Sequence, residues 1–232
     1  MPIIRLRQDI QLMERKVTTK SIDFFMKKEI DVLGFKKCMI FLKNDAILGP
    51  YIKSVSEPRY SIDTDYFSSL CKYIIYQQLS IQSASKTHGR FLLLFDNLNP
   101  IILLNTNEKI LKKTGLSFRK IEYLKELSKA FIKNNNFKNL ATKTNKQIIL
   151  TLCKIKGIGS WTAEMFLIFT MQRLDVMSCK DIGLIKGLKI VFNLKKRPSF
   201  EEAELLSQRW IPYRTIASLY LWKIVEGSDF DW

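Results

Sequence analysis

The sequence predicts an all-α protein built from short helices. Three observations carry this. Apolar residues recur every three or four positions along most of the chain. Ser, Thr, Asp or Asn stands ahead of these stretches, where a side-chain oxygen caps the first free amides of a helix. Strand-like runs are few. The clearest, Cys38-Met39-Ile40-Phe41-Leu42, suits a buried helix equally well.

The elements follow in order. Asp63 or Thr64 caps a helix through Phe67, Leu70, Cys71, Ile74 and Ile75. Ser80 or Ser83 opens the next, through Thr87, Arg90, Phe91 and Leu94, and Asn97-Leu98-Asn99-Pro100 ends it. Asn107 to Lys113 is a short helix stopped near Gly115. Ser117 caps a helix with Ile121, Leu124, Leu127, Ala130 and Phe131 on its apolar face. Asn134-Asn135-Asn136 reads as a loop. Thr144 starts a helix through Ile148, Ile149 and Leu152, and Trp161 to Met171 forms the next. A helix over Leu184 to Phe192 breaks before Arg197-Pro198. Ser199-Phe200-Glu201-Glu202 starts another, with acids in its first turn, and Pro212 opens the last, Tyr213 to Glu226. No internal repeat, low-complexity tract or Gly/Ser linker interrupts the 232 residues.

Composition narrows the function. Hydrophobic residues make up 47% of the chain, which excludes a disordered protein. Lys and Arg total 38 against 22 Asp and Glu, a net charge of +16, which points to a polyanionic partner. No apolar run reaches the roughly 18 residues that span a bilayer. Met1 to Val17 mixes charges into every turn, unlike a secretory signal, so an intracellular protein is expected. Cys38, Cys71, Cys153 and Cys179 lack metal-site spacing and read as reduced thiols. His88, the one histidine, reads as a polar helix residue.

The most informative stretch is Leu152-Cys153-Lys154-Ile155-Lys156-Gly157-Ile158-Gly159-Ser160-Trp161-Thr162-Ala163. Two glycines around one apolar residue allow a sharp turn with exposed amides. Those amides stand at the N-terminus of the next helix, where the dipole favours an anion. In a basic chain this is a clamp for a nucleic-acid phosphate. About twenty residues later comes Asp181, the carboxylate candidate for chemistry at that nucleic acid.

These residues, with Asp175-Val176 and Asp181-Ile182-Gly183-Leu184, resemble the helix-hairpin-helix DNA glycosylases, in the branch of the 3-methyladenine DNA glycosylase II type. Ile74-Ile75-Tyr76-Gln77-Gln78-Leu79-Ser80, Gly115-Leu116-Ser117-Phe118-Arg119-Lys120 and Trp210-Ile211-Pro212-Tyr213-Arg214 agree in the same order. The resemblance runs from about Asp45 to Trp222; residues 1–44 match nothing identified. It implies a two-lobed fold. Residues 66–176 form a central helical barrel containing the hairpin. Residues 1–65 and 177–232 form the second lobe, without the additional β-rich domain of some relatives.

The resemblance further implies a monofunctional enzyme of base excision repair. It flips an alkylated purine out of double-stranded DNA and hydrolyses the N-glycosidic bond, leaving an abasic site. Asp181 is the implied catalytic residue. Gly157, Ile158 and Gly159 form the phosphate-binding hairpin. Gln78 and Leu79 occupy the wedge region, with Ser80 at the minor groove; the alternative is that Gln77, Gln78 and Ser80 only cap a helix junction. Trp161, Trp222, Met165 and Tyr76 line the base pocket, because an aromatic face attracts a cationic base. Trp210 is read as core. No organic cofactor is implied. A structural Na+ or K+ is implied at the backbone carbonyls of Cys153, Ile155 and Ile158. Lys180 precedes Asp181 where some relatives carry a second acid. Strand-cutting relatives use a lysine amine as nucleophile at the position of Trp161, so a hydrolase is expected here. A monomer in the cytoplasm or nucleoid, or in a nucleus, completes these expectations. The alternative is a non-catalytic helix-hairpin-helix module that holds bent or branched DNA.

Overall fold

The computed structural model describes residues 32–58, 63, 65–133 and 135–227. Every regular element among them is helical. The chain divides into two compact units, residues 1–39 and 40–232, and the candidate site lies in the second. The ambiguous run at Cys38–Leu42 belongs to helix α1, Val32–Lys43. Helix α2, Gly49–Ser54, follows.

Helix α3, Tyr66–Tyr76, is capped by Asp65, whose carboxylate accepts from the amides of Phe67 and Ser68. Thr64, one of the two expected caps, lies outside the described residues. Asp63, the other, instead accepts from Lys72 Nζ at 3.2 Å and Tyr73 Oη at 3.3 Å. Ser80 caps α4, Ile81–Leu92. The sequence reading ended this region at Asn99-Pro100, but these residues open a further helix, α5, Pro100–Asn105. Asn99 caps it and proline occupies its first turn, where no amide is needed. Helix α6, Glu108–Lys113, is capped by Asn107.

Helix α7, Phe118–Lys133, braces this half of the unit. Two of its lysines close the ends of other helices. Lys120 Nζ donates to the carbonyls of Ile75 (2.7 Å) and Gln77 (2.8 Å), at the end of α3. Lys125 Nζ donates to those of Leu103 (3.0 Å) and Thr106 (2.6 Å), and also to Leu104, at the end of α5. A cation there meets both the unpaired carbonyls and the negative end of the helix dipole. The expected asparagine loop is a 3-10 helix, Asn135–Thr142, with Asn134 outside the described residues.

Helix α8, Asn145–Leu152, starts with a capping box made by Thr144 and Gln147. Helix α9, Ser160–Phe169, is buried on nearly every face, from Thr162 and Ala163 through Met165 to Phe169. Its large apolar side chains each contribute about 1.5–3 kcal/mol by leaving water. Helix α10 is Ile182–Val191. Helix α11, Phe200–Ser207, carries a second capping box, from Ser199 and Glu202. Helix α12, Arg214–Glu226, is buried continuously from Thr215 to Lys223. Trp210 is fully buried, as expected of a core residue, and its indole N–H donates to Asp45 at 3.2 Å.

Candidate active site

The hairpin between α8 and α9 is shaped by a glycine that no other residue replaces. Gly157 has φ +94°, and a Cβ there would fall on the ring of Tyr123 from α7. Ile155 and Ile158 are buried beneath the turn, and the Ile158 amide donates to the Ile155 carbonyl at 3.0 Å. Gly159 is the N-cap of α9. The first amides of α9 therefore lack helical partners and stand at its positive end.

Gln77 ties the α3–α4 connection to this hairpin. Its side-chain amide donates to the Gly157 carbonyl at 2.9 Å and to Thr162 Oγ1 at 2.8 Å. Gln77 is thus a tether rather than a surface cap. Beyond it, Gln78 is exposed with φ +56°, a left-handed conformation unusual for a side-chain-bearing residue. Leu79 is 42% exposed. Ser80 is committed to the start of α4, where its hydroxyl pairs with Ser83.

Asp181 is the N-cap of α10, accepting from the Leu184 amide at 2.9 Å through Oδ1. Two indoles converge on the same carboxylate. Trp222 Nε1 donates to Oδ1 at 2.9 Å, and Trp161 Nε1 donates to Oδ2 at 2.8 Å. Both oxygens are engaged, and the plane of the carboxylate is fixed by three donors from three helices. Trp161 comes from the first turn of α9, directly after the hairpin. Trp222 comes from α12, only 3% exposed and stacked on Phe169 with ring centroids 6.0 Å apart.

The approach of α12 to Asp181 depends on Gly183 and Gly187, four residues apart on one face of α10. A Cβ at Gly183 would lie 2.9 Å from Trp222 Cδ1, and one at Gly187 would lie 2.9 Å from Leu221 Cβ. The segment before Asp181 is anchored independently. Arg214 grips Asp175 through Nε (2.6 Å) and Nη2 (2.9 Å), a bidentate pair. Thr215 Oγ1 donates to the Arg173 carbonyl (2.5 Å) and accepts from the Val176 amide (3.1 Å). The quoted motifs at Asp175-Val176 and Trp210 to Arg214 therefore meet in space.

A cleft of about 120 Å³ opens on Asp181. Tyr76, Leu79 and Ile81 form one wall; Trp161, Trp222, Gly183 and Glu226 complete it. Burial pushes the Tyr76 phenol above its ordinary value, so it stays neutral. Of the four expected pocket residues, Tyr76, Trp161 and Trp222 line the cleft. Met165 does not: it is fully buried inside α9. Spacing placed it one turn from Trp161, but a helix buried on most faces sends that turn into the core. The two tryptophans also do something the sequence did not suggest, since their N–H groups hold Asp181. Lys180 Nζ stands 5.3 Å from the centre of the Phe200 ring. Behind the site, burial raises Glu164 above the usual carboxylate range, and Ser178 Oγ donates to it at 2.5 Å.

Ile81 and Glu226 were missed in the sequence and left no signal there, whereas Gln77 and Gly183 stood within the motifs but their contacts to the hairpin and to Trp222 were not foreseen.

Comparison with known proteins agrees with this geometry. Residues 71–213 match the model of the HhH-GPD superfamily base excision DNA repair proteins. DNA-3-methyladenine glycosylase 1 of Schizosaccharomyces pombe is 31% identical over 169 residues, covering 71% of this chain and 74% of the relative. DNA-3-methyladenine glycosylase of Saccharomyces cerevisiae is 30% identical over 211 residues, covering 82% of this chain and 70% of the relative. The solved structure of the S. pombe 3-methyladenine DNA glycosylase in complex with abasic DNA superposes with a TM-score of 0.77 at 29% identity, over 84% of this chain and 98% of that one. The matched residues 71–213 include both the Gly157 hairpin and Asp181, and the chain belongs to the HhH-GPD superfamily of base excision DNA repair proteins.

Proposed function

We propose that this protein is a monofunctional DNA glycosylase that extrudes alkylated purines of the 3-methyladenine type from double-stranded DNA and hydrolyses their N-glycosidic bond. One observation carries the reading: Asp181, oriented by Leu184, Trp161 and Trp222, faces a cleft walled by aromatic rings. The names of the relatives supply the substrate class.

The reaction follows from this placement. As the bond from the sugar carbon to the base breaks, its electron pair leaves with the base and positive charge builds on the sugar. The Asp181 carboxylate, fixed in one plane, stabilises that charge, orients the water that attacks the sugar carbon and takes up the proton that this water loses. An alkylated purine leaves without help from an acid, because the departing pair neutralises its own charge. The indoles offer π faces to a cationic base while their edges hold Asp181. No lysine lines the cleft among the described residues, and Trp161 stands where strand-cutting relatives carry their amine. Release of base and retention of the sugar–phosphate chain are the outcome.

The amides of Gly157 and Gly159 hold a phosphate of the damaged strand, the Ile158 amide being engaged within the turn. Leu79 enters the gap left by the extruded nucleotide, with Gln78 beside it. A Na+ or K+ at the carbonyls of Cys153, Ile155 and Ile158 would add positive charge to that phosphate site. A set of neutral backbone oxygens suits a monovalent ion. Partner and state are a damaged DNA duplex and a protein monomer.

The test is release of free base from methylated duplex DNA by wild type and Asp181→Asn. Asparagine keeps the cap of α10 through its one carbonyl oxygen and loses the bond from one indole, so a melting curve of the variant accompanies the assay. The expected result is 3-methyladenine release by wild type and a loss of at least about a hundredfold in the variant, with DNA binding intact. Equal rates would remove Asp181 from the chemistry. Binding without release by either protein would favour the module that only holds DNA.

A further inference from the structure

Glu226 lines the cleft and has no part in the chemistry derived above. It is the last residue of α12, one turn beyond Trp222 and on the same side of the helix. An acid is disfavoured there, because the helix dipole places its negative end at the C-terminus. Glu226 is exposed and has no hydrogen-bond or ion-pair partner among the described residues. The neighbouring cation of its helix, Lys223, is directed elsewhere, donating to Ser56 Oγ at 2.7 Å and the Glu57 carbonyl at 3.2 Å. A free carboxylate beside a DNA cleft also opposes the phosphates that a net charge of +16 attracts. Glu226 is exposed at the cleft, so water solvates it in the empty protein. It gains a partner when a positive charge enters the cleft.

We propose that Glu226 is the charge-selecting residue of the base cleft, favouring extruded purines that carry a formal positive charge, alkylated at N3 or N7, over neutral damaged bases. This rests on the glycosylase reading above. The aromatic walls do not make this choice alone, since a base of either kind stacks on an indole. A carboxylate acts on the formal charge. The two acids divide the reaction between them. Glu226 sits with the base, where the charge is before the bond breaks. Asp181 is held by both indoles and faces the sugar, where the charge goes. Stabilisation by Glu226 acts on the bound cation and persists while the bond is only partly broken, so its loss appears in KM, whereas that of Asp181 appears in kcat. Once the bond has broken the base is neutral, and the attraction that drew it in is gone.

The experiment compares 7-methylguanine, a cation in DNA, with hypoxanthine, a neutral base, in otherwise identical duplexes. Wild type, Glu226→Gln and Glu226→Lys are measured. The expected result is that the kcat/KM ratio of 7-methylguanine over hypoxanthine falls about tenfold in Glu226→Gln and further in Glu226→Lys. The change should lie in KM for the cationic base. A ratio equal to that of wild type in both variants overturns the proposal. A second measurement needs no catalysis. Quenching of tryptophan fluorescence is titrated with 3,9-dimethyladeninium, a fixed cation, and with neutral 9-methyladenine. Wild type should prefer the cation and Glu226→Gln should lose that preference. Preference for the cation without base release would sink the glycosylase reading and leave the charge selection standing. Base release with an unaltered ratio would do the reverse.

Discussion

Gly183 and Trp222 stand so close that a methyl group on residue 183 would lie 2.9 Å from Trp222 Cδ1 and 3.1 Å from Asp181 Oδ1. The absent side chain is what lets an indole from α12 reach the carboxylate at the start of α10. Gly183→Ala should displace the Trp222 ring, loosen Asp181 and cost about 1–3 kcal/mol of stability through overpacking. Base release should fall about tenfold to a hundredfold, as expected when a reacting group is misplaced. Trp222→Phe separates the two effects. It keeps a ring against Phe169 but deletes the N–H, so it should slow single-turnover base release with a smaller drop in melting temperature. Wild-type rates in both variants would show that the indole bond to Asp181 is incidental.

The hairpin yields a different expectation, because Gly157 is constrained twice. Its φ of +94° disfavours any side chain, and the Tyr123 ring occupies the space a Cβ would need. Gly157→Ala should destabilise the protein by about 2–4 kcal/mol and weaken DNA binding as the exposed amides shift. Adding Tyr123→Ala removes the collision and leaves the backbone strain. The double variant should therefore bind DNA better than Gly157→Ala alone, measured by fluorescence anisotropy. Equal losses in the two would assign the whole effect to φ.

Acid should destabilise the fold through His88. Its Nε2 is buried without a hydrogen-bond partner, between the rings of Tyr76 and Phe91. Burial, with Lys72 adding to it and Asp63 opposing, pushes its pKa from 6.5 down to about 4. The unfolded chain therefore takes up the proton first as pH falls. Stability is whole above the unfolded value and is lost towards the folded one, by about 2 kcal/mol between about pH 7 and pH 5. His88→Phe should flatten that part of the profile in urea unfolding. An undiminished slope would place the acid sensitivity elsewhere.

What was legible in the sequence is what chemistry writes in residue types. Thr144, and Ser199 with the acids after it, marked helix starts that the structure has. The glycines of the hairpin and Asp181 stood out because few other residues serve there. Asn99-Pro100 carried the right signal for α5 and was read as an ending, since a cap followed by proline marks either side of a break. Met165 failed for a different reason. Spacing along a helix gives its face but not which neighbours cover it. Contacts that cross between distant helices left no trace at all. That Lys120 closes α3, that Gln77 reaches Gly157, and that two indole edges meet at Asp181 are products of three-dimensional closure.

The family match ends at Tyr213, yet two residues of the cleft wall, Trp222 and Glu226, come from the helix beyond it. The part of the chain that grips DNA and carries Asp181 is thus separable, along the polypeptide, from part of the surface that touches the flipped base. A substitution in the last turn of α12 alters which lesion is welcomed and leaves the hydrolytic apparatus as it was. Trp222 still ties this terminal helix to Asp181, so under the proposed roles repair range and repair chemistry meet on one helix, one turn apart.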